Sequence, residues 1–334
     1  MEITFEKLSR FLTVDLSLGS FSQLGFHNPT GGGGVAVCGR RPDILQGVQE
    51  IELVGAGGEP VDFKRTLGSH GVADLLPNRI DEQTWTLATT LDIGGRAHAV
   101  RLSEGSPGHA RVEGAGRAVP VIRHMLRLDE DLSRFYALIA ADGELAWAAR
   151  GAGRMLRSPT VFEDVVKTVC TTNCAWSGTV RMVTALVEHL GIGGRTFPSP
   201  VVMAQAPGDF YTDVARAGYR GPYLRAIAAG VADGTLDLEE LDGRSDLSDE
   251  EVADRLLALP GVGPYAAAHI MMLLGRYGRL ILDSWTRPTY ARLAGRKTVK
   301  DTTIERRFRR YKDFAGLAFW LYLTRDWVPE ATPR

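Results

Sequence analysis

Cysteine is scarce in this chain: Cys38, Cys170 and Cys174 are its only three, in 334 residues. Three thiols cannot build a disulfide framework, and they fall short of a four-thiolate iron–sulfur cluster. A reduced, cytosolic setting is therefore expected. Long apolar runs are also missing: no stretch reaches the about 18 residues that a membrane-spanning helix needs. The first residues, MEITFEKLSRF, lack the basic-then-apolar order of a signal peptide. The seven histidines are scattered, and no carboxylate cluster or His/Cys set has zinc spacing. Net charge is nearly absent too, at −1, which taken alone speaks against a nucleic-acid partner. Its distribution says otherwise. From Arg287 to Lys312 ten Lys/Arg stand against Asp301 and Glu305, whereas 233–254 is rich in acids. A local basic surface is enough to meet phosphate, so the whole-chain balance discriminates weakly.

What is present is an ordinary globular composition, 44% hydrophobic and 24% charged, long enough for two or three domains. The first 115 or so residues read as strands and turns. FLTVDLSL (11–18), QEIELVGA (49–56), TWTLATTLDI (84–93) and HAVRLSE (98–104) alternate β-branched or aromatic positions between Gly-rich breaks. The Gly31–Gly34 run reads as a loop, because no strand–GxGxxG–helix context surrounds it. After about residue 118 the texture becomes helical. VIRHMLRLDEDLSRFYALIAA has three- and four-residue apolar spacing, and SPTVFEDVVKTVCTTN opens with a capping Ser158 and Pro159. TVRMVTALVEHLG stops at Gly191, and Ser248 precedes Glu251 by three residues, a capping box. GPYAAAHIMMLLGRYG and KDFAGLAFWLYLTRDW complete the helices. The expected class is α+β: an N-terminal antiparallel β-sheet domain, 1–117, followed by an all-helical body, 118–334.

Between two of these helical patterns lies Leu259-Pro260-Gly261-Val262-Gly263. Two glycines around one small apolar residue permit a tight turn with φ above zero. Leading straight into a helix, such a turn aims backbone N–H groups together at an anion, and a DNA phosphate suits them. The plain alternative is a short helix–helix connection. Further on, Leu280-Ile281-Leu282-Asp283 puts an acid at the end of an apolar segment, where it faces a cleft or caps a helix. The hairpin followed after roughly twenty residues by this aspartate resembles the helix-hairpin-helix–Gly/Pro–Asp superfamily of DNA glycosylases, in particular 3-methyladenine DNA glycosylase II and 8-oxoguanine DNA glycosylase.

The resemblance implies two helical subdomains with the active-site cleft between them, a hairpin at 257–268, and Asp283 as catalytic carboxylate. Members with lyase activity carry a lysine two positions after the hairpin's second glycine; here that residue is Tyr265. Tyrosine cannot form the Schiff base that strand cleavage requires. The implied enzyme is monofunctional: water attacks C1′, base and abasic site part, and the strand stays uncut. One carboxylate suffices to stabilise the positive charge that develops on the sugar and to position the water.

The resemblance extends over most of 118–328. Asn173 falls where 8-oxoguanine glycosylases fill the hole left by an extruded base, and Gly218-Tyr219-Arg220 matches a short turn that brings Arg220 toward DNA. With Gly261, Val262, Gly263 and Tyr265 these make the expected DNA contacts; a turn or cap role for Asn173 and a surface salt bridge for Arg220 are the alternatives. A flipped base needs aromatic or apolar walls, for which His269, Trp285, Phe319 and Tyr322 are the candidates, each otherwise a core residue. Phe319 stands in the place of a base-reading glutamine. The missing glutamine and lysine shift the expected substrate toward alkylated purines, whose positive charge favours π-rich walls. No organic cofactor is expected; a structural Na+ or K+ on the backbone carbonyls of Leu257, Leu259 and Val262 is implied. The expected partner is double-stranded DNA with a damaged base, met by a monomer away from any membrane, in the bacterial nucleoid or a nucleus. Competing readings are an 8-oxoguanine-type glycosylase without lyase activity, a non-catalytic helix-hairpin-helix DNA-binding protein and, weakest, a small-molecule hydrolase.

Overall fold

Alternation along three segments builds the sheet. Leu87, Thr89 and Leu91 of β3 (Thr86–Asp92), Val100 and Leu102 of β4 (Ala97–Glu104) and Ala110 and Val112 of β5 (His109–Glu113) are buried, their neighbours less so. In the computed structural model, which describes residues 47–243 and 246–329, these strands join β1 (Val48–Glu52) and β2 (Arg79–Asp81) in one antiparallel sheet of order β1-β5-β4-β3-β2. Leu87 pairs with Leu102 and Leu102 with Val112, which lines the large apolar side chains across one face. The expected strand at 11–18, the glycine loop at 31–34 and Cys38 lie outside the described residues.

That face is covered by α1 (Phe63–Leu67) and α2 (Val119–Met125). The sheet's core therefore continues past residue 117, through Ile122, Met125 and Leu128, and takes in Leu156. The long helix expected over 121–141 is two helices. Arg127 adopts φ 56°, and α3 (Ser133–Ile139) starts afresh beyond it.

Helices α4 (Val161–Thr171), α5 (Trp176–Leu190), α6 (Pro200–Gln205), α7 (Arg220–Ala232) and α8 (Asp249–Leu257) surround one apolar core. A second core joins α3 to α10 (Thr286–Leu293), α11 (Asp301–Phe308) and α12 (Ala315–Thr324). Helix α9 (Pro264–Leu273) belongs to both: Ala267, Ile270 and Met271 enter the first, Ala268 and Met272 the second. Two buried faces explain why its sequence is apolar all round.

Local capping departs from expectation at two ends. Helix α4 is capped by Thr160, whose hydroxyl accepts the Glu163 amide at 3.2 Å, not by Ser158, whose own amide binds Asp164. Gly191 closes α5 in an extended conformation, φ −75°, so no left-handed cap is involved. Glycine is required there because a Cβ would stand 1.9 Å from the Thr196 carbonyl oxygen. The Ser248–Glu251 capping box is formed as expected. No helix among the described residues is long and apolar enough to cross a membrane.

Candidate active site and nucleic-acid interface

Helix α8 ends at Leu257 and α9 begins at Pro264, so the pentapeptide between them is a true helix–turn–helix corner. Of its two glycines only Gly261 needs a left-handed backbone, at φ +83°, and a Cβ there would meet the Tyr223 ring at 2.7 Å. Gly263 is extended and caps α9, and a Cβ on it would point into open space. Open space over the first turn of a helix is what an approaching anion needs. Val262 is buried in the first helical core, where its side chain anchors the turn.

Asp283 sits on the non-helical segment that enters α10. Its Oδ1 accepts the amides of Trp285 at 2.8 Å and Thr286 at 2.7 Å, while its own N–H donates to the Thr286 hydroxyl at 2.8 Å. The aspartate is thus a reciprocal helix cap. The cap engages one oxygen only: Oδ2 takes no protein hydrogen bond among the described residues. The cap fixes the rotamer and leaves the second oxygen without a protein partner among the described residues.

Beside it opens a cleft of about 570 Å³, walled by Tyr265, Ala268, Leu280 and Leu282 and rimmed by Arg279, Arg287, Arg309 and Lys312. Arg287 is held by Asp301 at 2.8 and 2.9 Å. Arg279, Arg309 and Lys312 have no ion-pair partner among the described residues and only Glu305 stands against them in the lining, so the rim keeps an excess of positive charge. Burial pushes the Tyr265 phenol above its ordinary pKa, a hydrogen bond with Thr171 pulls the other way, and the charge of nearby Asp283 adds to the rise. Tyr265 packs against both helical cores, and its hydroxyl lies 3.4 Å from that of Thr171, at the end of α4.

Two residues past Thr171 comes Asn173, exposed and at φ 47°. Its amide donates to the Tyr219 hydroxyl at 3.4 Å. Arg220, an expected DNA contact, is turned inward. Arg220 is 6% exposed, and its guanidinium donates to the Thr172 carbonyl, at 2.9 Å from Nε, while lying 4.5 Å over the Tyr219 ring. These contacts hold the Asn173 turn and leave little of the Arg220 side chain at the surface. Tyr219, 52% exposed, is the outward-facing group instead. Sequence reading fixed on the charge in Gly-Tyr-Arg and passed over the ring.

The expected base-pocket residues do not converge on the cleft. Phe319 is fully buried, 5.2 Å from Phe308 and 6.1 Å from Tyr290, in the second helical core. Tyr322 lines a different recess, described below. Trp285 packs on Trp320 at 5.7 Å and Trp327 at 5.5 Å. A uniformly apolar helix gives no periodic cue to which face meets the cleft, so the sequence does not orient these rings. Tyr265 is the expected residue that does line it.

His269 is buried in α9 with its ring 5.7 Å from that of His70. His70 bonds the Leu156 carbonyl through Nε2 at 2.7 Å; His70 Nδ1 and His269 Nε2 have no hydrogen-bond partner among the described residues. Burial pushes His269 down to about 4 and His70 to about 3, so both rings are neutral near neutral pH. Because 6.5 is the ordinary value, the unfolded chain takes up these protons first. The stability the neutral rings carry is complete above about pH 6.5 and is lost as pH falls toward 4. Asp74 and Asp164, pushed up to about 6 by burial, act in the opposite sense, so the difference between variant and wild type is the proper readout. His269→Leu is expected to be near-neutral at pH 7 and to spare about 2 kcal/mol of the acid loss at about pH 5. Denaturant titrations at both pH values check it; parallel losses in the two proteins would refute it.

Among solved structures, 3-methyladenine DNA-glycosylase from Archaeoglobus fulgidus matches at 18% identity and TM-score 0.63, over 85% of this chain and all of that one (100%). 8-Oxoguanine glycosylase/lyase from Clostridium acetobutylicum matches in its apo form at 18% identity and TM-score 0.63, over 80% of this chain and 94% of that one. The same enzyme with double-stranded DNA containing cytosine opposite 8-oxoguanine matches at TM-score 0.61, 18% identity and coverage of 80% and 92%. No family model and no curated protein matches the chain. The described fold is the one these DNA glycosylases share.

Proposed function

We propose that the chain is a monofunctional DNA glycosylase of base-excision repair, which extrudes a damaged base and hydrolyses its N-glycosidic bond with Asp283. The observation that carries the reading is the capped aspartate, with one oxygen free of protein hydrogen bonds beside a cleft with a basic rim. The fold shared with glycosylases for methylated and oxidised purines supports it.

In this reading the Gly261–Gly263 turn and the first turn of α9 receive a phosphate through backbone N–H groups. Asn173 and Tyr219 project toward the base stack from α4 and the turn before α7. Asp283 Oδ2 faces the sugar, stabilises the charge that grows on C1′ as the bond to the base breaks, and orients the water that replaces the base. The carbonyls of Leu257, Leu259 and Val262 suit a monovalent cation. Leu257 ends α8, where terminal carbonyls lack helical donors, and the Leu259 carbonyl accepts one bond from the Val262 amide, at 3.2 Å, leaving a lone pair. A bound Na+ or K+ would add positive charge for the phosphate.

The substrate proposed is an alkylated purine. Phe319 and Tyr322 do not supply the π-rich wall, which leaves Tyr265 with Ala268, Leu280 and Leu282. Tyr265 offers no amine, so incubation of damaged duplex with borohydride is expected to trap no covalent adduct and to leave strands uncut until alkali is added. A trapped adduct would refute monofunctional action. Release assays across 3-methyladenine, 7-methylguanine, hypoxanthine, 8-oxoguanine and uracil duplexes identify the base, and no release from any of them would favour the non-catalytic clamp.

A further inference from the structure

Helix α11 has two working faces. Asp301, Glu305 and Arg309 look into the Asp283 cleft, while Thr303, Arg306 and Arg307 line a separate recess of about 480 Å³ that also meets α10 and α12. A helix body about 10 Å across divides the two. We propose that this recess is a second binding site, for a deoxynucleoside monophosphate unit.

Its volume falls within the about 300–1,000 Å³ of small-ligand sites, and its lining is chemically divided. Tyr290 and Tyr322 form an aromatic wall, with Leu293 and Val299 beside it. Arg307 lies 4.5 Å over the Tyr322 ring, is gripped by both oxygens of Glu144 at 2.6 and 2.7 Å, and keeps 27% of its side chain exposed. A guanidinium locked flat in this way is a stacking platform for a base. Glu144 is the one acid in the lining, and its charge is already answered by Arg307.

At the rim stand Arg296 and Arg306, both exposed and without an ion-pair partner among the described residues. The hydroxyls of Thr303 and Tyr322 likewise have no protein hydrogen bond there. Two uncompensated guanidinium groups and two idle hydroxyls beside a flat cationic and aromatic wall fit one ligand chemistry: a planar base joined to a phosphate. Such a unit is available free or as part of a DNA strand.

The test is calorimetric titration of the full chain with deoxyadenosine monophosphate, deoxyadenosine, inorganic phosphate and a short single-stranded deoxyoligonucleotide. The monophosphate or the oligonucleotide is expected to bind, more weakly as salt rises, with deoxyadenosine and phosphate each weaker by about tenfold or more. Arg296→Ala with Arg306→Ala should cost about tenfold, and Ala294→Trp should fill the recess and abolish binding. If Ala294→Trp does not fold, the double arginine variant, on exposed side chains, decides alone. Binding of the free monophosphate identifies a soluble ligand; binding of the oligonucleotide alone identifies a strand-borne unit. No binding of either, binding unchanged in the double variant, or binding of an acidic aromatic peptide in their place overturns the proposal. Asp283→Asn should leave this titration unchanged, so its outcome is independent of base excision.

Discussion

Asp283→Asn is expected to slow base release by about 10²–10⁴-fold while fold and DNA affinity stay near wild type. The substitution is informative because of the cap. Asparagine keeps an Oδ1 that can accept the Trp285 and Thr286 amides now held at 2.8 and 2.7 Å, and Asn serves as well as Asp at a helix N-terminus. What it loses is the negative charge, and with it the ability to answer the positive charge growing on the sugar. Asp283→Ala removes charge and cap together, and should add about 1 kcal/mol of destabilisation to the same catalytic defect. Single-turnover release from alkylated duplex, paired with a binding isotherm and a denaturation curve, separates the two roles. An Asp283→Asn protein that releases bases at the wild-type rate would leave the aspartate a cap and nothing more.

Legibility in the sequence followed the range of the interactions. The hairpin, the capping box at Ser248 and the strands from 84 to 104 depend on residues a few positions apart, and each was readable. Thr286 stands three residues after Asp283 and closes the cap, a local signal that could have been noticed. The direction of a side chain on an all-apolar helix has no such local signal. Phe319 and Tyr322, three residues apart on α12, point to a buried core and to the second recess respectively. Arg220 misled for a related reason: a charged residue reads as exposed until its carbonyl partner, 48 residues away, is known.

The element with the largest expected effect on stability also joins segments far apart in the chain. Arg154 is fully buried and donates to Glu59, 95 residues distant, and to the Arg127 and Glu130 carbonyls. Glu59 in turn accepts the Leu132 amide at 2.7 Å. Gly55 admits the guanidinium, since a Cβ there would lie 1.9 Å from it. One ion pair thereby joins the turn after β1 to the α2–α3 connection and to the segment leading into α4, which carries the Asn173 turn. Arg154→Met leaves the Glu59 carboxylate buried without its partner, and is expected to cost about 3–5 kcal/mol, a large share of a typical domain's about 5–15 kcal/mol. Removing the stranded charge as well, in Arg154→Met with Glu59→Leu, should return part of that loss, because the penalty lies mainly in the unpaired ion. It should not return all of it: in both variants the Arg127 and Glu130 carbonyls lose one of their donors, and in the double variant the Leu132 amide also loses its acceptor. Chemical denaturation of the two singles and the double measures the coupling. Strict additivity of the two single losses would mean that the pair contributes nothing as a pair.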